Sequence, residues 1–214
     1  LSAPHKIEVI KYLDGLGESA KVMGAVNCAV LQDGNLIGEN TDGKGFLESL
    51  REVIDPAGKV VTILGAGGAA RAIAVEVALA GAKSVNIVNR DAQRGKELSE
   101  LVKNICDSSY CLWDSNFAIP GETEILVNAT TVGMHGNSDA SLDIYFDSLN
   151  STMVVADVII NPPQTDFLKR AASIGCKTID GLGMVVNQGV LAIKYWTGVD
   201  VDANVMRKKL LEVL

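Results

Sequence analysis

A short β-branched strand that runs into a glycine-rich turn and an apolar helix is the feature that most constrains this chain. Residues 60–64 are Val-Val-Thr-Ile-Leu, and the segment Gly65-Ala66-Gly67-Gly68-Ala69-Ala70-Arg71 follows them directly. This is the strand–turn–helix context in which a dinucleotide-binding fingerprint acts. Gly65 permits the tight turn, Gly67 lets the backbone approach a pyrophosphate, and Ala70 lets the helix pack closely on the strand. The sequence therefore predicts phosphate binding at a helix N-terminus, where unpaired N–H groups and the helix dipole attract anions.

The second strand of this pattern, residues 84–88, ends in residues that bear on the type of dinucleotide. Asn89, Arg90 and Asp91 follow it, with Arg94 shortly after. An acidic residue about 20 positions past the glycines binds the ribose of NAD, whereas an arginine accommodates the 2′-phosphate of NADP. Arg90 and Arg94 favour NADP, although two arginines are also ordinary at a solvent-exposed helix start. Asp91 favours NAD, because a carboxylate repels a phosphate. We predict NADP as the cofactor, with NAD as the alternative.

Composition and charge exclude several classes of protein. The chain has 214 residues, of which 48% are apolar, with 21 glycines and 5 prolines, as is typical of a folded α/β protein. The formal net charge is −7 and there is no basic run, so neither nucleic acid nor an anionic membrane is expected as a partner. The sequence contains no uncharged apolar stretch of about 18 residues, so it predicts no transmembrane helix.

The cysteines and histidines do not predict a metal site. The four cysteines form no CxxC pair, and neither of the two histidines lies at a ligand spacing from them. We interpret His5 and His135 as turn or surface residues. Reduced thiols and the absence of a recognisable signal peptide favour a cytoplasmic location.

Strands and helices alternate along most of the chain. Asp33-Gly34 between two apolar runs predicts a hairpin over residues 26–40, and a helix is predicted from about Lys44 to Val53. Beyond a turn at residues 55–58, the pattern predicts strands at 60–64, 84–88, 110–113, 125–128, 153–158 and 177–179, and helices at 69–80, 92–104, 165–174, 183–196 and 202–214. Alternation at this spacing indicates an α/β fold with a Rossmann-type, doubly wound parallel sheet.

Segments spread over the whole chain resemble the shikimate dehydrogenase family, including its quinate/shikimate branch. In the order of the family they are Pro4-His5-Lys6, Gly24-Ala25-Val26-Asn27, Asn40-Thr41-Asp42-Gly43, the turn at 65–71, Asn89-Arg90, residues 128–134, Asn161-Pro162 and residues 180–189. The resemblance implies a smaller α/β substrate domain and a Rossmann domain with the active site between them. The implied limits are 1–43 for part of the substrate domain, 44–59 for a linking helix and turn, 60–186 for the NADP-binding domain, and 187–214 for helices that pack back on the substrate domain.

The resemblance also implies an activity, the reversible NADP-dependent reduction of 3-dehydroshikimate to shikimate. Lys6 and Asp42 match the catalytic lysine and aspartate of the family. An alcohol that loses a hydride must also lose a proton, so a proton carrier has to lie within hydrogen-bond reach. Taken alone, Lys6 would be an exposed helix-start lysine and Asp42 a helix N-cap. The alternatives are a quinate/shikimate dehydrogenase using NAD or NADP, and a non-catalytic NADP-binding sensor or interaction protein.

The remaining site residues are also carried over from the family. Ser2, Asn27 and Gln188 match positions that contact the substrate. The cofactor positions are Gly65, Ala66, Gly67, Gly68, Ala69, Asn89, Arg90, Arg94, Thr130, Val158, Gly181 and Met184. A hairpin-strand asparagine, a helix-surface glutamine and a core methionine are the ordinary interpretations of Asn27, Gln188 and Met184.

Two departures from the family pattern concern the carboxylate of the substrate. Ile160 occupies the position where the family often has a tyrosine that holds this carboxylate, and isoleucine has no hydrogen-bond donor there. The paired serines that grip the same group lie upstream of Leu1 in the family, so we expect a further segment before Leu1. A homodimer is the expected assembly.

Overall fold

The computed structural model describes residues 1–2, 5–134 and 141–214, so Pro4 and His135 lie outside the described residues. The first part of the chain forms a small α/β unit. Its elements are α1 (His5–Glu8), a 3-10 turn (Val9–Tyr12), β1 (Gly15–Leu16), α2 (Glu18–Met23), β2 (Cys28–Gln32), β3 (Asn35–Glu39) and α3 (Thr41–Arg51). The strands pair in the order β1-β3-β2, with β1 parallel and β2 antiparallel to β3.

The predicted hairpin is confirmed, and its turn has a clear physical cause. Asp33 and Gly34 connect β2 to β3 with φ angles of 49° and 82°. Positive φ at both central residues is the requirement of the type I′ turn, which matches the twist of the flanking strands.

The predicted start of the next helix at about Lys44 is wrong, because α3 begins at Thr41. Asn40 caps it, its side chain accepting a hydrogen bond from the Asp42 backbone N–H at 3.1 Å. The interpretation of Asp42 as the N-cap is therefore also wrong. Asp42 is the second helical residue, and its carboxylate is available for other partners.

The second part of the chain is a doubly wound sheet. Its elements are β4 (Val60–Leu64), α4 (Gly68–Leu79), β5 (Ser84–Asn89), α5 (Ala92–Lys103), β6 (Asp107–Leu112), β7 (Phe117–Ala118), β8 (Ile125–Asn128), β9 (Ile144–Tyr145), β10 (Val154–Asp157), α6 (Asp166–Ile174), β11 (Lys177–Ile179), α7 (Gly181–Thr197) and α8 (Ala203–Leu211). Six parallel strands lie in the order β11-β10-β8-β4-β5-β6. The predicted fold class is confirmed. Strand order reverses between β4 and β8, and ligands of such sheets bind outside the carboxyl ends of the strands at this point.

Core packing explains why the central strands are continuously apolar. All residues of β4, β8 and β10 are buried, as expected for parallel strands covered on both faces. One layer packs α4 against the sheet, and the other packs α6 against the opposite face. Strands β1, β7 and β9 have two residues each, too short to produce a recognisable sequence period. Within the described ranges, no helix has the length and apolarity needed to cross a bilayer.

Helix α7 returns to the small unit and packs closely on α3. A Cβ atom on Gly45 would lie 2.6 Å from the Met184 carbonyl oxygen, so the two helices meet backbone to backbone. Farther along α7, the Trp196 indole N–H donates to the Ala29 carbonyl oxygen at 2.9 Å. The domain limits themselves stay a prediction.

Candidate active site

A lysine and an aspartate from separate helices form an ion pair in the small unit. The Lys6 Nζ atom, on α1, lies 2.5 Å from Asp42 Oδ2 at the start of α3. The Lys6 side chain is 30% exposed and the Asp42 side chain 16%, so the pair is partly shielded while the lysine still reaches solvent. The two residues are 36 positions apart, and only the fold brings them together.

Asn27 fixes the second oxygen of the same carboxylate. Its Nδ2 group donates to Asp42 Oδ1 at 2.9 Å and to Thr41 Oγ1 at 3.0 Å. Its Oδ1 atom accepts from the Thr41 backbone N–H at 2.7 Å. Asp42 is therefore held by Lys6 on one oxygen and Asn27 on the other, which sets the orientation of the carboxylate. The supporting role of Thr41 was missed by sequence reasoning, although Thr41 lies within one of the matching segments.

The pair faces a cleft whose other wall is the start of the glycine-rich helix. The cleft has a volume of about 540 Å³. Its lining residues come from both parts of the chain: Lys6, Ile7, Met23, Gly24, Ala25, Asn40, Asp42, Gly68, Ala69, Arg71, Ala72 and Met184. The Lys6–Asp42 pair and the predicted phosphate-binding turn thus border the same space.

Backbone geometry and packing require glycine at one position of the turn and not at the two that follow. Gly65 has a φ of 109°, and a Cβ atom there would lie 3.0 Å from the Ala129 carbonyl oxygen, so backbone geometry requires glycine. A Cβ atom on Gly67 or Gly68 would meet no protein atom within 4 Å. Protein packing therefore does not require glycine at these two positions, and the open space before α4 fits an anionic group bound by the first N–H groups of the helix.

The carboxyl end of β5 presents two arginines. Asp91 caps α5, accepting hydrogen bonds from the Gln93 and Arg94 backbone N–H groups at 3.0 and 3.1 Å. The Arg90 guanidinium lies over the Trp113 ring, 5.3 Å from its centroid, and Arg94 Nε lies 3.6 Å from Asp91 Oδ2. Because the Asp91 carboxylate accepts these capping hydrogen bonds, Asp91 is weaker evidence for NAD than the sequence suggested. Arg90 and Arg94 are exposed cations at the edge where a 2′-phosphate would lie.

A buried polar network holds the carboxyl ends of β8 and β10. The Asn128 Oδ1 atom accepts from the Thr130 hydroxyl at 2.7 Å, and its Nδ2 group donates to Asp157 Oδ1 at 3.1 Å. Asp157 Oδ2 accepts from the Thr165 hydroxyl at 2.7 Å. Burial raises the pKa of Asp157, and the hydrogen bonds from Thr165, the Ile159 N–H and Asn128 oppose that rise. The network positions Thr130 and was missed in part, although a buried aspartate ending an apolar strand is a usable signal.

Gly181 is needed where α7 begins. A Cβ atom on it would lie 2.4 Å from the Ile159 carbonyl oxygen and 2.6 Å from that of Val158. No larger residue fits, so glycine sets the distance between β10 and α7. One turn later, Met184 reaches the cleft that Lys6 lines.

None of the three predicted substrate residues is among the described residues that line the cleft. Asn27 is connected to the cleft by its hydrogen bond to Asp42, which does line it. Ser2 is exposed, and Gln188 lies on α7 with its backbone N atom against Gly45. Their contacts with a substrate stay a prediction, as does the role of half-buried Ile160.

Comparison with known proteins agrees with this geometry. The family model "Shikimate / quinate 5-dehydrogenase" matches residues 49–135, and the model "Shikimate 5'-dehydrogenase C-terminal domain" matches residues 181–211. The NADP(+) shikimate dehydrogenase of Alkaliphilus oremlandii is 41% identical, over 98% of this chain and 76% of its own length. The chain belongs to the shikimate dehydrogenase family. The predicted family membership is confirmed, and the chain is an oxidoreductase of this family.

Two solved structures that are similar to this chain are enzymes named for different substrates. Ligand-free 5-ketofructose reductase of Gluconobacter sp. strain CHM43 is 51% identical with a TM-score of 0.96, covering 100% of this chain and 77% of that one. Shikimate 5-dehydrogenase of Thermus thermophilus, in complex with NADP(H) and shikimate, is 33% identical with a TM-score of 0.83, covering 100% of this chain and 78% of that one.

Proposed function

We propose that this protein catalyses the reversible NADP-linked reduction of 3-dehydroshikimate to shikimate. The observation that carries the proposal is the Lys6–Asp42 pair, 2.5 Å apart, in a cleft whose opposite wall is the first turn of the glycine-rich helix. Lys6 as the proton carrier and the helix start as the dinucleotide site would thus be adjacent, as a hydride-transfer reaction requires. The 41% identity to an NADP(+) shikimate dehydrogenase and the 33% identity to the enzyme solved with NADP(H) and shikimate support the same substrate and cofactor.

The residues of this chain supply the proton and the orientation of the reacting group. Bound NADPH contributes the hydride that reduces the ketone carbon. Lys6 Nζ donates a proton to the oxygen that becomes the hydroxyl, and in the reverse direction Lys6 accepts that proton. Asp42 holds the lysine side chain in place, and Asn27 holds Asp42 through its other oxygen. One hydride and one proton convert the ketone to the secondary alcohol.

Backbone groups at one end and cations at the other would hold the cofactor. The N–H groups at Gly67, Gly68 and Ala69 would donate to the pyrophosphate, in the space that the two glycines keep open. Arg90 and Arg94, next to Asn89, would bind the 2′-phosphate. Gly65 and Ala66 would shape the turn, while Thr130, Val158, Gly181 and Met184 would be the contacts for the rest of the dinucleotide.

Reduction of 5-ketofructose is a second candidate, favoured by two specific observations. The 51%-identical protein is a reductase of this ketose, which is a neutral molecule. Ile160 has no donor at the position where the family often holds a carboxylate with tyrosine. The two candidate substrates share the polyhydroxylated ketone that Lys6 and Asp42 would act on, and they differ in the carboxylate.

Steady-state kinetics with the purified protein separates the candidates. We expect kcat/KM to be highest for 3-dehydroshikimate with NADPH, and shikimate to be oxidised faster than quinate with NADP. A higher kcat/KM for 5-ketofructose would identify this ketose as the substrate, and the proposed roles of Lys6 and Asp42 would stay the same. The variant Ile160→Tyr supplies a donor for a carboxylate, so it should favour 3-dehydroshikimate over 5-ketofructose relative to the parent. No reduction of either ketone with either nucleotide would overturn the proposed function.

Two expectations about the cellular state of the protein remain proposals. We propose a homodimer in the cytoplasm, and the free state of all four cysteines agrees with a reducing compartment. Sedimentation of the purified protein tests the dimer. Fractionation of the source cells tests the location.

A further inference from the structure

Arg71 connects the glycine-rich turn to the small unit through two hydrogen bonds. Its backbone N–H donates to the Gly67 carbonyl oxygen at 2.9 Å, which closes the first hydrogen-bonded turn of α4. Its Nε atom donates to the Met23 carbonyl oxygen at 2.6 Å. Met23 is the last residue of α2, so the guanidinium satisfies a carbonyl that the helix end leaves unpaired. One residue thus contacts both walls of the cleft.

The segment that Arg71 holds leads directly to the residues around the Lys6–Asp42 pair. Met23 packs its side chain on Ala72 and Val75 of α4. Three residues later, the Val26 backbone N–H donates to the Lys6 carbonyl oxygen at 2.8 Å. The next residue is Asn27, which orients Asp42. A displacement of the Met23 carbonyl therefore shifts the backbone that supports both Lys6 and Asn27.

The rest of the guanidinium has the features of an anion contact. Arg71 is half-buried and lines the cleft beside Gly68 and Ala69. In the described part of the chain, no carboxylate lies at ion-pair distance from the guanidinium, and of its three nitrogen atoms only Nε has a hydrogen-bond partner. Burial lowers the pKa of Arg71, and the more distant Glu97 carboxylate opposes this. A partly desolvated cation at the edge of a phosphate-binding turn is completed by an anionic ligand.

We propose that Arg71 is a positioning residue that couples dinucleotide binding to the alignment of Lys6 and Asn27. Its Nη groups bind a phosphate of the dinucleotide while its Nε group holds the Met23 carbonyl. The planar guanidinium fixes the two contacts relative to each other, which a lysine ammonium does not do. This inference rests on the proposed function for the identity of the cofactor. Arg71 would thereby link phosphate binding on one side of the cleft to the position of Lys6 and Asn27 on the other.

Two variants separate the charge of Arg71 from its geometry. Arg71→Met removes both contacts, so we expect the Kd for NADPH and the KM for the ketone at saturating NADPH each to rise about 10-fold or more. Arg71→Lys keeps the positive charge, so NADPH affinity should stay within roughly 3-fold of the parent while the ketone KM remains raised. Arg51→Met is the matched control, because Arg51 is an exposed arginine at the end of α3, away from the cleft.

Hydrogen exchange provides a readout that does not depend on turnover. NADPH alone, without a ketone, should slow exchange at the Val26 amide of the parent protein, and Arg71→Lys should reduce that protection. The proposal is overturned if NADPH binds but leaves Val26 exchange unchanged, or if the ketone KM of Arg71→Lys equals that of the parent. Failure of NADPH to bind the parent protein would instead overturn the proposed function. If Arg71→Met does not fold, Arg71→Lys and the exchange experiment carry the test.

Discussion

Replacing Gly68 by alanine tests the phosphate site without disturbing the fold. Gly68 is the first residue of α4, and a Cβ atom there would meet no protein atom within 4 Å. Alanine loses less backbone entropy than glycine on entering a helix, so Gly68→Ala should leave stability unchanged or raise it by about 0.5–1 kcal/mol. The methyl group would occupy the space assigned to the pyrophosphate. Loss of charge-assisted hydrogen bonds there should raise the Kd for NADPH by roughly 10- to 100-fold.

Gly65→Ala is the contrasting variant, because we expect it to lower the stability of the fold rather than to block the phosphate site. Gly65 has a φ of 109° and close contact with the Ala129 carbonyl oxygen, so alanine at this position strains the backbone. The cost should be about 1–3 kcal/mol, and each kcal/mol lowers Tm by roughly 2–4 °C in a protein of this size.

Titration of NADPH fluorescence and thermal unfolding, measured on the same samples, distinguish the two effects. We expect Gly68→Ala to lose affinity at an undiminished Tm, and Gly65→Ala to lose Tm. Undiminished NADPH affinity in Gly68→Ala would refute the reasoning, since it would mean that the open space before α4 is not where phosphate binds.

Three further predictions follow from the site and its surroundings. Lys6→Ala should lower kcat by at least about 100-fold while the Kd for NADPH stays within roughly 2-fold, because the lysine acts on the substrate oxygen; a matching loss of NADPH binding in a titration would contradict this role. Arg90→Ala should raise the KM for NADP about 10-fold more than the KM for NAD, and equal increases would remove the 2′-phosphate assignment. Glu76 is buried between α4 and the small unit with its Oε1 atom unpartnered in the described structure, and desolvation raises its pKa above the usual 4.5. The folded state then binds more protons than the unfolded state as pH rises through the raised pKa, so stability is lost over that range. Glu76→Gln should remove this loss, so its Tm advantage over the parent should grow as pH rises from the usual 4.5 through the raised pKa; a constant difference would be the contrary result.

Local pattern was sufficient for three strands of the sheet, whereas the strand predicted at 110–113 is β6, which begins three residues earlier. The strands at 60–64, 125–128 and 177–179 have the predicted limits, because buried parallel strands are apolar runs bounded by turn residues. The helix predicted to start at residue 202 is α8, and Asp202 caps it by accepting a hydrogen bond from the Asn204 backbone N–H. The start of α3 was misplaced because an asparagine cap and a threonine at the first helical position resembled the end of the preceding hairpin.

The candidate site was only partly accessible to sequence reasoning. The glycine-rich turn is a local feature, so its residues and its place between strand and helix could be identified directly. The pairing of Lys6 with Asp42 came from family resemblance, since nothing local joins residues on different helices. The Asn128–Asp157–Thr165 network and the hydrogen bond from Arg71 to the Met23 carbonyl oxygen were not foreseen, because each joins groups from separate elements.

The sequence by itself determined the parallel sheet, the glycine-rich turn between β4 and α4, and the cations that follow β5. These features depend on the conformational preferences of neighbouring residues and on short, continuously apolar strand segments, both of which are encoded locally. Tertiary structure decided which polar groups meet: the 2.5 Å ion pair, the second hold on its carboxylate and the arginine that spans the cleft. Such contacts depend on how helices pack across the sheet, and a backbone shift of a few ångströms would leave the same residues without partners.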